Sequence, residues 1–431
     1  MARVMFMDML LSGGLVLLPD FSARVTDVCI RDGKILSVGP VPDDFRPEKV
    51  MDCTGRAVIP GLVNAHTHAY MTVFRNWADD LPFADWLFGR IMPLEDQLTA
   101  EDCYWSSLLG IMEMLATGTT AFLDMYIHPD SVSRASAESG IRAVLSRGLS
   151  GGESDPAGGA RRIREALADW RAWRDSPRLT FMLGPHALYT CDEEYLCGIA
   201  GLSRETGLGI HVHLAESQSE MEDAFSRYGC SPTALMDRCG ILGPRTVAAH
   251  GIRLSGEEIA LLADRGVSVA TNPLSNLKLA NGVAPVPALL SAGVNVALGT
   301  DGPASNNALN LFRDLAALAA IHKGVGADPT LVTARQALYC AARGGAAALG
   351  LNTGEIAPGR EADLAVLDLD KPWLTPLGDL AAALCYAATG AETESVLVGG
   401  QLLYHRGEYL TIDADRVRRE LAATRKRLGM E

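Results

Sequence analysis

Apolar and polar positions alternate along this chain in two distinct rhythms, and the rhythm changes twice. Over residues 7–56 the apolar residues fall in short runs broken by turns. Residues 9–18 read as a hairpin about Ser12-Gly13-Gly14, and residues 25–30 and 34–38 as strands flanking Asp32-Gly33. No helical period intervenes, so residues 1–56 predict the first part of a small β-sandwich. From Ala57 onward, segments with a helical period end near a glycine and give way to short apolar runs. Gly118, Gly140, Gly209, Gly266 and Gly293 each precede such a run, as a left-handed helix cap precedes a strand. Residues 58–63, 179–183 and 246–249 bring the strands to eight, with amphipathic stretches such as 100–115, 161–173 and 255–264 between them. Over residues 57–355 this predicts an α/β fold, a (β/α)8 TIM-like barrel. A doubly wound open sheet is the competing architecture, but no Gly-x-Gly-x-x-Gly follows the first strand. After Gly350 the β texture returns in residues 354–356, 362–367 and 394–403. Residues 356–431 are therefore expected to complete the sandwich, with a charged helix over 413–427 on the solvated surface.

Composition narrows the class without changing it. A chain of 431 residues, 48% hydrophobic and 21% charged, has ample apolar surface for a large core. Its net charge of −14 argues against binding the phosphate backbone of nucleic acid. Nine cysteines without a Cys-x-x-Cys supply neither a disulfide framework nor a thiolate zinc site. They read as small core residues of a cytoplasmic protein. The first twenty residues have the apolar look of a leader peptide, but Asp8 and the Ser12-Gly13-Gly14 turn interrupt them. No apolar run reaches membrane-spanning length, so no membrane association is expected.

The ends of the barrel strands change the picture more, because chemistry in such barrels gathers at the carboxyl ends of the strands. The first strand ends in Asn64, His66 and His68, and the His-x-His spacing sends both imidazoles to one side of an extended backbone. The following strands end in Asp124, in Arg147, in His186, and in His211-Val212-His213 with Glu216 beyond. The last three end in His250, Asn272 and Thr300-Asp301. A lone His-x-His is as easily two polar residues in a turn, but six of the nine histidines fall at these exits. His66, His68, His213 and Asp301 form a nitrogen and oxygen donor set that suits one divalent ion, Zn²⁺ or alternatively Fe²⁺, better than Mg²⁺ or Ca²⁺. A second ion is not expected, since His186 has no lysine beside it to bridge two metals. His211 lies deeper on its strand and reads as a core or supporting residue. A metal-bound water becomes hydroxide near neutrality, and a carboxyl group is then needed to move protons. Glu216 is the candidate shuttle, His250 a group to orient the hydroxide or polarise the electrophile, and Asp301 both ligand and base. Gly148-Leu149-Ser150-Gly151-Gly152 fits the Gly-x-Ser-x-Gly elbow, but a glycine-rich stretch, 151–159, follows the serine in place of a helix. It reads as a chance match and as a mobile loop over the barrel mouth. His128 and His405 are expected at the surface, and His322 as a cation favoured by a helix end.

PGLVNAHTH, HVHLAES, AAHG and LGTDGPASNN, with RNWADDLPFADWL and GEIAPGREADLAVLD, resemble the metal-dependent amidohydrolase superfamily and within it the 5-methylthioadenosine/S-adenosylhomocysteine deaminase family. The resemblance implies metal ligation by His66, His68, His213 and Asp301, general acid–base work by Glu216, and a place over the hydroxide for His250. It further implies that Glu95 holds the ribose hydroxyls, that Trp86 walls the nucleoside pocket, and that His186 and Ser305 contact the substrate. Arg147 resembles an arginine at the substrate's far end, and either Arg161 or Arg162 a second one. The implied activity is hydrolytic deamination of a 6-aminopurine nucleoside (S-adenosylhomocysteine, 5′-methylthioadenosine, adenosine or 5′-deoxyadenosine) to the inosine analogue and ammonia. The alternative within the superfamily is a deaminase or chlorohydrolase acting on guanine, cytosine or an s-triazine. The expected partner is a small nucleoside, with homo-oligomerisation left open.

Overall fold

Two sheets share the chain, and the computed structural model describes them over residues 7–430. Five strands come first: β1 (Met9–Leu17), β2 (Ala23–Arg31), β3 (Lys34–Val38), β4 (Lys49–Asp52) and β5 (Arg56–Pro60). The next four are β6 (Leu62–Thr67), β7 (Thr119–Tyr126), β8 (Arg142–Leu149) and β9 (Leu179–Pro185). β10 (Gly209–Leu214), β11 (Thr246–His250), β12 (Ser268–Thr271) and β13 (Asn295–Leu298) complete a run of eight parallel strands in sequential order, a nearly closed TIM-type barrel. β14 (Leu364–Asp368), β15 (Thr393–Val398), β16 (Gln401–His405) and β17 (Glu408–Tyr409) return to the N-terminal strands and pair with them through β5. The nine strands outside the barrel form one mixed sheet that branches at β1, whose first half lies beside β4 and whose second half lies beside β5.

Four local expectations differ from what forms. Residues 9–18 make a single strand bulged at Gly13 and not a hairpin, because both halves of β1 find partners in β2. Residues 354–356 are irregular, and residues 394–403 are two antiparallel strands turned at Gly399-Gly400. The apolar run 58–63 is also two strands. Gly61 separates β5, which belongs to the mixed sheet, from β6, which opens the barrel, so position 57 falls inside β5. A Cβ at Gly61 would stand 2.1 Å from Thr120 Oγ1, so only glycine lets the chain pass between the sheets here.

Barrel closure places the site. β6 and β13 share no ladder, and the helical segment Cys340–Ala348 packs across the gap between them. Above it, Asn64 and Thr300 exchange two hydrogen bonds, Asn64 Nδ2 to Thr300 Oγ1 at 2.7 Å and Thr300 N to Asn64 Oδ1 at 3.0 Å. The Asp301 amide then donates to the His66 carbonyl at 3.0 Å. The first and last strand exits are thereby pinned side by side. Inside the barrel, below these polar residues, small and branched side chains (Val63, Ala121, Leu123, Val247, Ala270, Ala297) form a dry floor.

Some outer helices begin and end where the sequence says, but the one expected over 161–173 starts at Pro156, and the left-handed cap before β10 is Gly207, Gly209 being the first residue of the strand. Ala100–Ala116 starts at a Thr99/Asp102 capping box, and Gly256–Arg265 at a Ser255/Glu258 box before the left-handed Gly266. The terminal helix, Ala414–Arg427, corrects its expected role as solvated surface: Val417 and Leu421 are buried against the barrel helices, and Thr424 and Arg427 both donate to Asp102. His322 is likewise buried within Leu311–Gly326, and burial pushes it down to about 4, so it is neutral and not a dipole-favoured cation. Among the described residues no helix is long and apolar enough to cross a membrane.

Candidate active site

Three imidazoles meet at the barrel mouth with their protons turned away from one another. His66 projects from β6, His68 follows it, and His213 projects from β10, all buried. His68 Nδ1 lies 2.8 Å from the Met125 carbonyl and His213 Nδ1 lies 2.7 Å from the His186 carbonyl. A carbonyl can only accept, so both rings carry the proton on Nδ1 and leave Nε2 bare. For His66 the same result is reached through two further groups. Ser146 Oγ donates to the Asp124 carbonyl and accepts from His211 Nδ1, whose Nε2 accepts from His66 Nδ1 at 2.7 Å. His66 Nε2 is buried and has no hydrogen-bond partner. His211 is thus a supporting residue, as its depth on the strand suggests.

Bare nitrogens facing each other repel unless a cation sits between them. His68 Nε2 and His213 Nε2 are 3.3 Å apart, and Asp301 Oδ1 lies 3.3 Å from His66 Nε2 and 3.5 Å from His68 Nε2. Donors about 2.1 Å from one tetrahedral ion are about 3.4 Å from one another. The cluster therefore fits a divalent cation in donor type, protonation and spacing. Burial pushes His66 down to about 4 and holds His213 well below its ordinary value, keeping both neutral as ligation requires. Burial alone would raise Asp301, but His66, His250 and His68 hold its carboxyl well below the usual range. Ser275 and Ser305 donate to Asp301 Oδ2 at 2.6 and 2.8 Å, and the Gly302 amide to Oδ1 at 2.7 Å.

Beside the cluster stand two groups able to move protons. Glu216 is buried two residues past β10, with Asn281 Nδ2 donating to its Oε1 at 3.1 Å and His250 Nε2 3.9 Å from the same oxygen. Burial pushes the Glu216 carboxyl up against the pull of His250. Burial pushes His250 down, but Glu216 and Asp301 outweigh it and the ring stays above its ordinary value. His250 and Asp301 both have left-handed backbones, at φ 72° and 63°, as does Ala215 before Glu216 at 50°. Non-glycine residues seldom sit there unless the surroundings impose it, and three of eight strand exits do so around one point.

A cavity of about 350 Å³ opens from this cluster, lined by Trp86, Glu95, Arg147, His186, Tyr189 and other side chains. Trp86 is buried with its Nε1 hydrogen unpartnered, and Glu95 accepts from the Tyr70 hydroxyl at 2.5 Å. Burial pushes the Glu95 carboxyl up to about 7, despite the Tyr70 hydrogen bond.

The amidohydrolase family pattern matches residues 57–403, which spans the barrel and most of the returning sheet. A 5-methylthioadenosine/S-adenosylhomocysteine deaminase of Moorella thermoacetica is 45% identical over 90% of this chain and 92% of its own. The chain belongs to the amidohydrolase family. A 5′-deoxyadenosine deaminase of Methanosarcina mazei is 42% identical over 90% of both chains. Among solved structures, an adenosine deaminase from Xanthomonas campestris with bound zinc superposes at a TM-score of 0.94, with 34% identity and 99% of each chain covered.

Within this amidohydrolase, the structure gathers His66, His68, His213, Glu216, His250 and Asp301 around one point. Trp86, Glu95, Arg147, His186 and both Arg161 and Arg162 line the adjoining cavity. Ser305, expected at the substrate, instead lies under Asp301 with its hydroxyl committed to that carboxylate. His128, expected at the surface, lines the cavity and bonds the Leu98 carbonyl at 2.8 Å. Ser150 is followed by a helix only from Pro156 (Pro156–Trp173), so the elbow geometry is absent, and residues 156–159 of the stretch 151–159 are the first turn of that helix and not a loop. Tyr70, Tyr189, Ser275, Asn276 and Asn281 were not singled out by sequence. The last three lie in or just after the helix Pro273–Lys278, and the run Asn272-Pro273-Leu274-Ser275-Asn276 at the seventh strand exit is the one signal that pointed there.

Proposed function

We propose that this amidohydrolase deaminates a 6-aminopurine nucleoside by hydrolysis, giving the inosine analogue and ammonia. The observation that carries the reading is the convergence of three bare imidazole nitrogens and the Asp301 carboxylate beside a buried Glu216 whose carboxyl is pushed up by that burial. His66, His68, His213 and Asp301 hold one divalent ion, Zn²⁺ or Fe²⁺, which when bound supplies Lewis acidity and a water acidic enough to react at neutral pH.

The chain's own residues do the rest. Glu95 and Trp86 hold the nucleoside through the sugar hydroxyls and a buried indole donor, which turns the amino-bearing carbon of the purine towards the cluster. Water adds across the bond between that carbon and the neighbouring ring nitrogen, which Glu216 protonates. Asp301 takes the water's own proton in that addition and passes it to the departing amine, while Glu216, having given its proton to the ring nitrogen, takes the one on the added hydroxyl as the carbonyl forms, so both carboxyl groups end as they began. His250, with Nδ1 2.8 Å from Asn276 Oδ1, is held so that Nε2 faces the added oxygen.

Metal-loaded protein is expected to release ammonia from S-adenosylhomocysteine, 5′-methylthioadenosine, 5′-deoxyadenosine or adenosine; turnover of none removes the substrate class. Glu216→Gln should lower kcat by about 10²–10⁴-fold with little change in KM. Glu95→Ala separates nucleosides from bare rings: it should damage nucleoside turnover and spare any activity on guanine, cytosine or an s-triazine.

A further inference from the structure

The helix that follows β10, Gln218–Tyr228, opens with Ser217-Gln218-Ser219-Glu220, the Ser-x-x-Glu spacing of a capping box. In such a box the serine hydroxyl accepts from the amide of the third helical residue, and that residue's side chain turns back to the amide of the serine. Thr99/Asp102, Ser255/Glu258 and Thr333/Gln336 all close in this way. Here only the first half forms, with Ser217 Oγ accepting from the Glu220 amide at 3.1 Å. The Glu220 carboxyl passes the serine by and reaches one residue further, its Oε2 accepting from the Glu216 amide at 2.7 Å. Glu220 is 2% exposed, and its Oε1 is buried with no hydrogen-bond partner among the described residues. A helix cap needs no such burial, and burying a carboxyl costs stability.

The amide that Glu220 holds belongs to the peptide between Ala215 and Glu216. The carbonyl of that same peptide accepts from the Ile252 and Arg253 amides at 3.0 and 2.9 Å, just past the end of β11. Its plane is thus gripped at both polar ends, next to the left-handed Ala215 at φ 50°. We propose that Glu220 is a positioning residue: by fixing this peptide plane it aims the Glu216 carboxyl into the site, and it does so in place of closing the cap of its own helix. The inference rests on the proton-carrying role given to Glu216 above. Without Glu220 the buried Glu216 amide loses its acceptor, and the strained turn is free to relax and swing the Glu216 side chain. A misplacement of about 1 Å costs a reacting group about 10²-fold in rate. Nucleoside binding, assigned to Glu95 and Trp86, does not pass through this turn.

The test is steady-state kinetics on a 6-aminopurine nucleoside with metal-loaded protein. Glu220→Ala should lower kcat by about 10–100-fold and keep KM within about twofold of wild type. Glu220→Gln retains a carbonyl oxygen for the Glu216 amide and should return kcat to within about threefold of wild type. Glu220→Asp keeps the charge but draws the oxygens back by one bond, and it should behave as the alanine variant; this comparison stands even where Glu220→Ala fails to fold. Glu258→Ala opens a closed capping box outside the cavity lining and is the control, with a lower Tm and an unchanged kcat. A Glu220→Ala protein that behaves like this control makes Glu220 an ordinary cap and overturns the inference. Equal losses in the alanine and glutamine variants assign the effect to charge and overturn it as well. Turnover of no nucleoside by wild type removes the reading of Glu216 and this inference with it, an outcome distinct from the other two.

Discussion

At the scale of single residues, the proton positions on the three imidazoles are fixed by two backbone carbonyls and one serine hydroxyl. The Met125 and His186 carbonyls, and Ser146 acting through His211, each demand a hydrogen on an Nδ1 and so deliver a bare Nε2 to the centre. Glu95 adds a residue-scale consequence for pH. Its folded carboxyl ionises at about 7, above the 4.5 of an exposed glutamate, because burial outweighs the Tyr70 hydrogen bond. As pH rises through 7 it gains the charge that would make it the better acceptor in its proposed role of holding the sugar hydroxyls. The free protein loses stability between 4.5 and 7, where the unfolded chain has released this proton and the folded chain has not. The expected outcome is a limb in log(kcat/KM) near pH 7 in wild type that disappears in Glu95→Gln. An unchanged limb assigns it to another group.

At the scale of elements, two features link the barrel's outside to its working face. Gly61 lets β5 and β6 follow each other in different sheets, so the strand bearing His66 leaves directly from the mixed sheet. The terminal helix Ala414–Arg427 closes over the start of Ala100–Ala116. There Asp102 already accepts from Thr99, and Thr424 Oγ1 and Arg427 add to it, the former at 2.7 Å. Thr424→Val removes one donor from a buried carboxylate. It should destabilise the protein by about 1–3 kcal/mol, read as a lower Tm by calorimetry, with kcat unaffected. A Tm equal to wild type would return this helix to the role of solvated surface that its charge pattern suggests. That pattern misleads because two buried residues and one threonine are enough to anchor a helix whose other positions are mostly charged.

At the scale of the whole molecule, the site exists because the barrel closes. Asn64 and Thr300 tie the first strand to the last, and this brings Asp301 within 3.3 Å of His66 although 235 positions separate them (301 − 66). Removing the ion should leave three lone pairs and a carboxylate confronting one another. Chelation is therefore expected to lower Tm and readdition of Zn²⁺ or Fe²⁺ to restore it; an ion at about 1,000 times its Kd contributes about 4 kcal/mol. His66→Ala protein with full metal content would contradict the assignment of the ligands.

The sequence by itself determined the eight-strand rhythm and the exits at which the chemistry stands, because glycine caps and apolar runs are local. His-x-His on an extended backbone is local for the same reason. It also marked His211 as the deeper residue of its pair. What it left to the tertiary structure were choices made by distant partners. The run 58–63 is split by a clash with Thr120, residues 9–18 stay one strand because β2 spans both halves, and Ser305 turns to Asp301 instead of the pocket. The neutral state of His322 and the pairing of Arg147 with Glu165 belong to the same class. Burial and charge pairing are properties of what surrounds a residue, and that is settled only when the strands have closed into a barrel.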